Sequence, residues 1–134
     1  MSKETEAYRP TVLVVDDEGM IANTLVTILK RSGFSAYPAY DGESAIEAAL
    51  VNPPALLISD VILPGMNGID LAINLMKIFP ECKVILSSGQ TITSKLLSTA
   101  ATLGHKFVFF QKPVPPDVLL NHVHQSLASP TLPT

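Results

Sequence analysis

The sequence predicts an α/β domain built on a parallel sheet, and three observations predict it. Short β-rich runs alternate with helical patterns along the chain. The first run, TVLVV (11–15), is a continuous stretch of β-branched residues and leucine, as expected of a strand covered on both faces. Finally, most of the apolar strand-like runs end on polar residues: Asp16 and Asp17, Asp60, Ser87 and Ser88, and Lys112. In an open parallel sheet that edge is where ligands bind.

The elements follow in order. After TVLVV and DDEGM comes a helix with Ile21, Leu25, Ile28 and Leu29 on one stripe. Lys30 and Arg31 suit its last turn, and Gly33 stops it. FSAYPAY (34–40) is a weaker strand, placed at an edge because Pro38 has no N–H for a ladder. DGESAIEAALVN is a short helix opened by Asp41 and halted by Pro53 and Pro54. ALLISD (55–60) is the third strand, followed by a Pro-Gly loop. Asn67, with Asp70 three positions on, opens a helix whose apolar side is Ile69, Ile73, Leu75, Met76 and Phe79. KVILSS (83–88) is the fourth strand. TITSKLLSTAATLG (91–104) is a helix of poor propensity, rich in Thr and Ser. FVFFQ (107–111) is the fifth strand. The last helix, PPDVLLNHVHQSLA, starts on proline and turns Leu119, Leu120, Val123 and Leu127 inward. Residues 1–9 and 129–134 read as tails, leaving one domain over 10–128.

Composition narrows the function. With 134 residues, 47% of them hydrophobic and 16% charged, the chain has room for one real core. No apolar stretch reaches the ~20 residues of a membrane span, and MSKETEAYRP lacks a signal peptide's apolar centre. A lone cysteine, Cys82, excludes an internal disulfide and fits a reducing, cytoplasmic compartment. A net charge of −3 argues against direct nucleic-acid binding.

The polar strand ends carry the chemistry. Were the first and third strands neighbours, Asp16, Asp17 and Asp60 would lie within several Å of one another. Like charges so close need a counter-cation. Oxygen ligands suit a hard divalent ion such as Mg²⁺, which keeps waters and takes phosphate oxygens besides one or two carboxylates. Lys112 would add a mobile positive charge and a serine a hydrogen bond, both suited to a phosphoryl group. Each piece alone has a plain structural reading. An Asp pair after a strand is often a helix cap, an Asp before Pro-Gly is turn chemistry, and two serines can simply end a strand. The argument lies in their falling in order at one edge of one sheet.

VLVVDDE, LLISDVILPGMNGIDL, VILSSG and FFQKP together make the chain resemble a receiver domain of the two-component response regulators, of the chemotaxis-regulator kind, over about residues 10 to 128. The resemblance implies a flavodoxin-like, doubly wound sheet of five parallel strands in the order 2-1-3-4-5 with five helices. It also implies that Asp60 accepts a phosphoryl group from the phosphohistidine of a sensor histidine kinase or phosphotransfer protein. Asp16, Asp17 and Asp60 with the backbone carbonyl of Ile62 would hold Mg²⁺. Ser88, directly before Gly89, would be the switch hydroxyl, Lys112 would contact the phosphoryl oxygens, and the Lys112–Pro113 bond would be cis. Phe109 takes the place of the aromatic switch residue, where tyrosine is commoner, so a switch there would rest on packing. Alternation along the strand turns Ser87 to the opposite face from Ser88, so Ser87 is expected to be silent. The output would be a downstream protein target or an output domain outside this chain. On this reading the protein is not an enzyme beyond self-catalysed phosphotransfer and dephosphorylation.

Two rivals share the acceptor Asp. A Mg²⁺-dependent aspartyl phosphohydrolase resembling the haloacid dehalogenases would need an acid/base Asp two residues after the nucleophile, where Ile62 stands. A receiver-like interaction module that takes no phosphate would have little use for the intact acidic set. The histidines add nothing: His122 and His124, two apart on a helix, cannot share a face, and His105 lies in a loop.

Overall fold

A computed structural model describes residues 9–89 and 107–128, together with Ser98. Five strands, β1 (Thr11–Val15), β2 (Ser35–Ala39), β3 (Leu56–Asp60), β4 (Lys83–Ser88) and β5 (Val108–Gln111), form one sheet in the order β2-β1-β3-β4-β5. Every neighbouring pair is parallel. Four helices are seen among the described residues: α1 (Gly19–Arg31), α2 (Gly42–Val51), α3 (Gly68–Ile78) and α4 (Pro116–Ala128). That is one fewer than the five expected. The helix expected over 91–104 lies outside the described residues, apart from Ser98, which is helical.

Strand alternation splits the core in two. Leu13, Val15, Leu57, Val84 and Leu86 face α2 and α3, whereas Val12, Val14, Leu56, Ile58 and Ile85 face α1 and α4. Both faces are covered, which is why these strands carry no polar alternation. Leu13, Leu57, Leu71, Leu75 and Leu86 are completely buried, each contributing about 1.5–3 kcal/mol of transfer free energy. Cys82 belongs to this core, and burial pushes its thiol up to about 11. Pro38 lies in β2, which pairs only with β1, so its missing N–H faces no strand.

The helix starts follow local chemistry. Asp41 caps α2 by accepting from the Ser44 N–H (2.7 Å), and Asn67 caps α3 by accepting from the Asp70 N–H (2.8 Å). Gly33, at φ 97°, ends α1 in a conformation that suits glycine.

α1 departs from the expected stripe. Ala22, Val26 and Leu29 are its buried residues, with Leu25 packed beside them, while Ile21 is 39% exposed. Ala22 is wholly buried in the cluster under the sheet, and Ile21 and Ile28 turn instead toward a cavity at the side of the helix. On α4, Leu119 and Val123 are buried and Leu120 and Leu127 pack against the same cluster.

Candidate functional site

The carboxyl edge of the sheet gathers three carboxylates and one ammonium. Asp16 follows the last residue of β1, Asp60 is the last of β3, and Lys112 follows the last of β5. Because β1 and β3 are neighbours, ligand oxygens of Asp16, Asp17 and Asp60 all lie within 4.8 Å of one another. Asp16 is buried, Asp17 exposed and Asp60 half-buried. Lys112 Nζ lies 2.6 Å from Asp16 Oδ2 and 3.3 Å from Asp60 Oδ2.

Backbone contacts fix these groups in place. The Glu18 N–H donates to Asp16 Oδ1 (2.9 Å), and the Ile62 N–H donates to Asp60 Oδ1 (3.3 Å). The N-cap of α1 is Glu18 rather than either aspartate, so the pair is not an ordinary helix cap. The carbonyls at the end of β4 tie the site together. Ser87 O accepts from the Val61 N–H and Ser88 O from the Lys112 N–H, both at 2.8 Å. The Lys112–Pro113 peptide bond is cis.

Burial raises the Asp60 carboxyl above its ordinary value; Lys112 opposes this and the charge of Asp16 adds to it. For Lys112 burial works in the other direction. The hydrogen bond and charge of Asp16, then those of Asp60, outweigh it and hold the ammonium above its usual value. The site is a charged cluster in partial shelter, matched in its first two members and open at Asp17.

Sheet alternation sorts the two serines. Ser88, 1% exposed, follows Val84 and Leu86 toward the α2/α3 side, the side on which Phe107 and Phe109 pack. Ser87 follows Ile85 to the α1/α4 side. Asp16, Asp60 and Lys112 continue the same rows of β1, β3 and β5, and all three line a cavity of about 610 Å³ together with Ser87. Its other wall is apolar, formed by side chains of α1 such as Ile21 and Leu25, and by Leu119 of α4. The expected alternation therefore holds, but the face it gives Ser87 is the face of the carboxylates. Sequence reasoning missed this because it needs the register of β4 on β3, which sets Asp60 opposite Ser87.

Gly68 was also missed. A Cβ there would stand 2.1 Å from the Asp60 carbonyl oxygen, so only glycine lets α3 start directly against the end of β3. Ile62 is half-exposed in the loop between them. His122 and His124 diverge as their spacing requires, one ring against Phe110 (4.7 Å between centroids) and the other against Phe34 (5.0 Å). His105 lies outside the described residues.

Comparison with known proteins matches the family model of the response regulator receiver domain over residues 12–124. The chain is similar to a CheY-like receiver domain protein from Methanospirillum hungatei, at 26% identity and TM-score 0.80, covering 90% of this chain and 94% of that one. It is similar to a two component transcriptional regulator AraC from Clostridium phytofermentans, at 31% identity and TM-score 0.74, covering 88% and 91%. A third likeness is the signal receiver domain of a LuxO repressor protein from Vibrio parahaemolyticus, at 26% identity and TM-score 0.78, covering 90% and 91%.

Proposed function

This chain belongs to the response regulator receiver domain family, and from that membership we propose that Asp60 is its phosphoacceptor. The observation that carries the reading is the convergence of Asp16, Asp17, Asp60 and Lys112 at one edge of the sheet. A carboxylate raised by burial is poorly solvated and correspondingly ready to bond to phosphorus. An oxygen of Asp60 attacks the phosphorus of a phosphohistidine on a sensor histidine kinase or phosphotransfer protein. The new O–P bond forms as the P–N bond breaks, and the imidazole nitrogen keeps the electron pair. Lys112, already 3.3 Å from Asp60, donates to the phosphoryl oxygens.

The donor set fits a hard divalent ion, since three carboxylate oxygens within 4.8 Å repel one another without one. Asp16, Asp17, Asp60 and the Ile62 carbonyl would hold Mg²⁺. Bound there, the ion offsets the charge of the carboxylates and the incoming phosphoryl oxygens.

Ser88 then supplies the switch. Its hydroxyl sits one residue beyond the partner of Asp60 and on the side of Phe109. Turning toward the phosphoryl oxygens, it leaves space against which the Phe109 ring repacks. A downstream protein or output domain reads that change. Residues 10–128 form the receiver unit. Turnover of separate substrates is no part of this role, nor is nucleic-acid contact by a domain of net charge −3. Among the described residues no helix is long and apolar enough to cross a membrane, and a cytoplasmic place follows from the kinase as donor.

Acetyl phosphate with Mg²⁺ tests the assignment. Intact-mass spectra should show one labile phosphoryl adduct on the wild type and none on Asp60→Asn. An adduct persisting on Asp60→Asn, or no adduct from several small donors, refutes it.

A further inference from the structure

Lys112 leaves the end of β5, yet its ammonium reaches carboxylates on β3 and β1. In the order β1-β3-β4-β5 its side chain must cross β4. On the α1/α4 face, the β4 residue beneath that crossing is Ser87, opposite Asp60 on one side and Phe110 on the other. Below it on this face lies Ile85, wholly buried. The hydroxyl stands beyond it, in the cavity that Asp16, Asp60 and Lys112 line.

We propose that Ser87 is a positioning residue of the phosphotransfer site: Lys112 bonds Asp16 and Asp60 in this structure, and when Asp16 turns to a metal ion the Ser87 hydroxyl accepts from the ammonium and keeps it beside Asp60. The inference rests on the reading of Asp60 as phosphoacceptor. An ammonium has three N–H donors. Two serve Asp16 and Asp60, and the nearer carboxylate is Asp16, the one that does not take the phosphoryl group. Lys112 needs a third acceptor close to Asp60 if it is to stay there while Asp16 is engaged elsewhere. A neutral hydroxyl fills that role without adding negative charge to a site that must admit a phosphoryl anion. Its shortness also leaves room for the lysine stem to pass over β4.

The test compares wild type, Ser87→Ala and Ser87→Thr with acetyl phosphate and Mg²⁺, and records the Lys112 side-chain NMR signals with Mg²⁺ present and no phosphodonor. Loss of one hydrogen bond to a charged group predicts an adduct forming about tenfold more slowly on Ser87→Ala at saturating donor. Half-saturation should be unchanged and the Lys112 signals displaced. Ser87→Thr, which keeps the hydroxyl, should stay within about twofold of the wild type. A wild-type rate for Ser87→Ala, unmoved Lys112 signals, or a Ser87→Thr as slow as Ser87→Ala overturns the proposal while Asp60 stands. A wild type that forms no adduct removes the phosphoacceptor reading itself, and this role with it.

Discussion

Lys112 is bound more closely to Asp16 than to Asp60, at 2.6 Å against 3.3 Å. Its stronger partner is thus the more buried carboxylate, with only 5% of the side chain exposed against 12% for Asp60. A carboxylate so enclosed depends on its counter-charge, because desolvation penalises its ionised form. Lysine serves both aspartates from one atom.

Replacing it exposes that dependence. Lys112→Met keeps the stem's apolar packing but leaves Asp16 and Asp60 facing each other uncompensated. Removing one partner of a buried pair costs about 3–5 kcal/mol; with Lys112 itself 20% exposed, we expect the lower end, about 3 kcal/mol. Urea unfolding in EDTA measures it. Added Mg²⁺ should return part of the loss, and equal stabilities of variant and wild type in EDTA would show that Asp16 needs no cation.

The opposite charge change should stabilise. Asp60 has its carboxyl raised by burial and by Asp16, with Lys112 only partly offsetting them. In acid below the ordinary carboxylate value of ~3.9 both folded and unfolded chains are protonated, and the residue has no effect. As the pH rises, the unfolded chain ionises first while the folded one still holds its proton. The native state therefore loses stability until the pH passes the folded value, and keeps that penalty at neutrality. Asp60→Asn removes it. Melting curves in EDTA should place the variant above the wild type at neutral pH and converge with it in acid. A variant less stable than the wild type at neutrality would mean the Lys112 pairing outweighs burial.

The metal assignment makes Asp17 the sensitive ligand. It is the exposed member of the acidic set and carries no pairing with Lys112, so its charge is available to an incoming ion. Asp17→Asn should weaken Mg²⁺ binding about tenfold, equivalent to ~1.4 kcal/mol, with little change in folding. Isothermal titration settles it, and an unchanged affinity would take Asp17 out of the ligand set.

Much of this was legible in the residues. β1 and β4 were bounded as the structure has them, since continuous Val, Leu and Ile runs need a sheet covered on both sides. Pro38 placed β2 at an edge, and Asp41 and Asn67 marked two helix starts. The grouping of Asp16, Asp17 and Asp60 followed once β1 and β3 were taken as neighbours. What stayed hidden depends on contacts between distant segments. The inward stripe of α1 runs through Ala22, Val26 and Leu29, and periodicity alone does not rank that stripe above the neighbouring one through Ile21 and Ile28. Nothing in the sequence singled out Gly68, whose need for glycine appears only where α3 meets the Asp60 carbonyl. The side taken by Ser87 required the pairing of β4 with β3.

That pairing also sharpens the prediction for Ser88. The residue is buried on the face of Phe109, away from the cavity that Ser87 lines with Asp16 and Asp60. Its hydroxyl is therefore not needed to assemble Asp60 and Lys112, and Ser88→Ala should still accept a phosphoryl group. What it should lose is the rearrangement that follows, because nothing then draws the end of β4 toward the phosphoryl oxygens. One hydrogen bond to a charged acceptor is worth about 1.5–3 kcal/mol, enough to tip a two-state equilibrium by about ten- to a hundredfold. Amide NMR shifts around Phe109, recorded with and without beryllofluoride as a phosphoryl mimic, read that equilibrium. The wild type should show them and Ser88→Ala should not, while mass spectra show the same acetyl phosphate adduct on both. Full shifts in Ser88→Ala would transfer the switch to another group, and loss of the adduct would show that Ser88 acts in the chemistry itself.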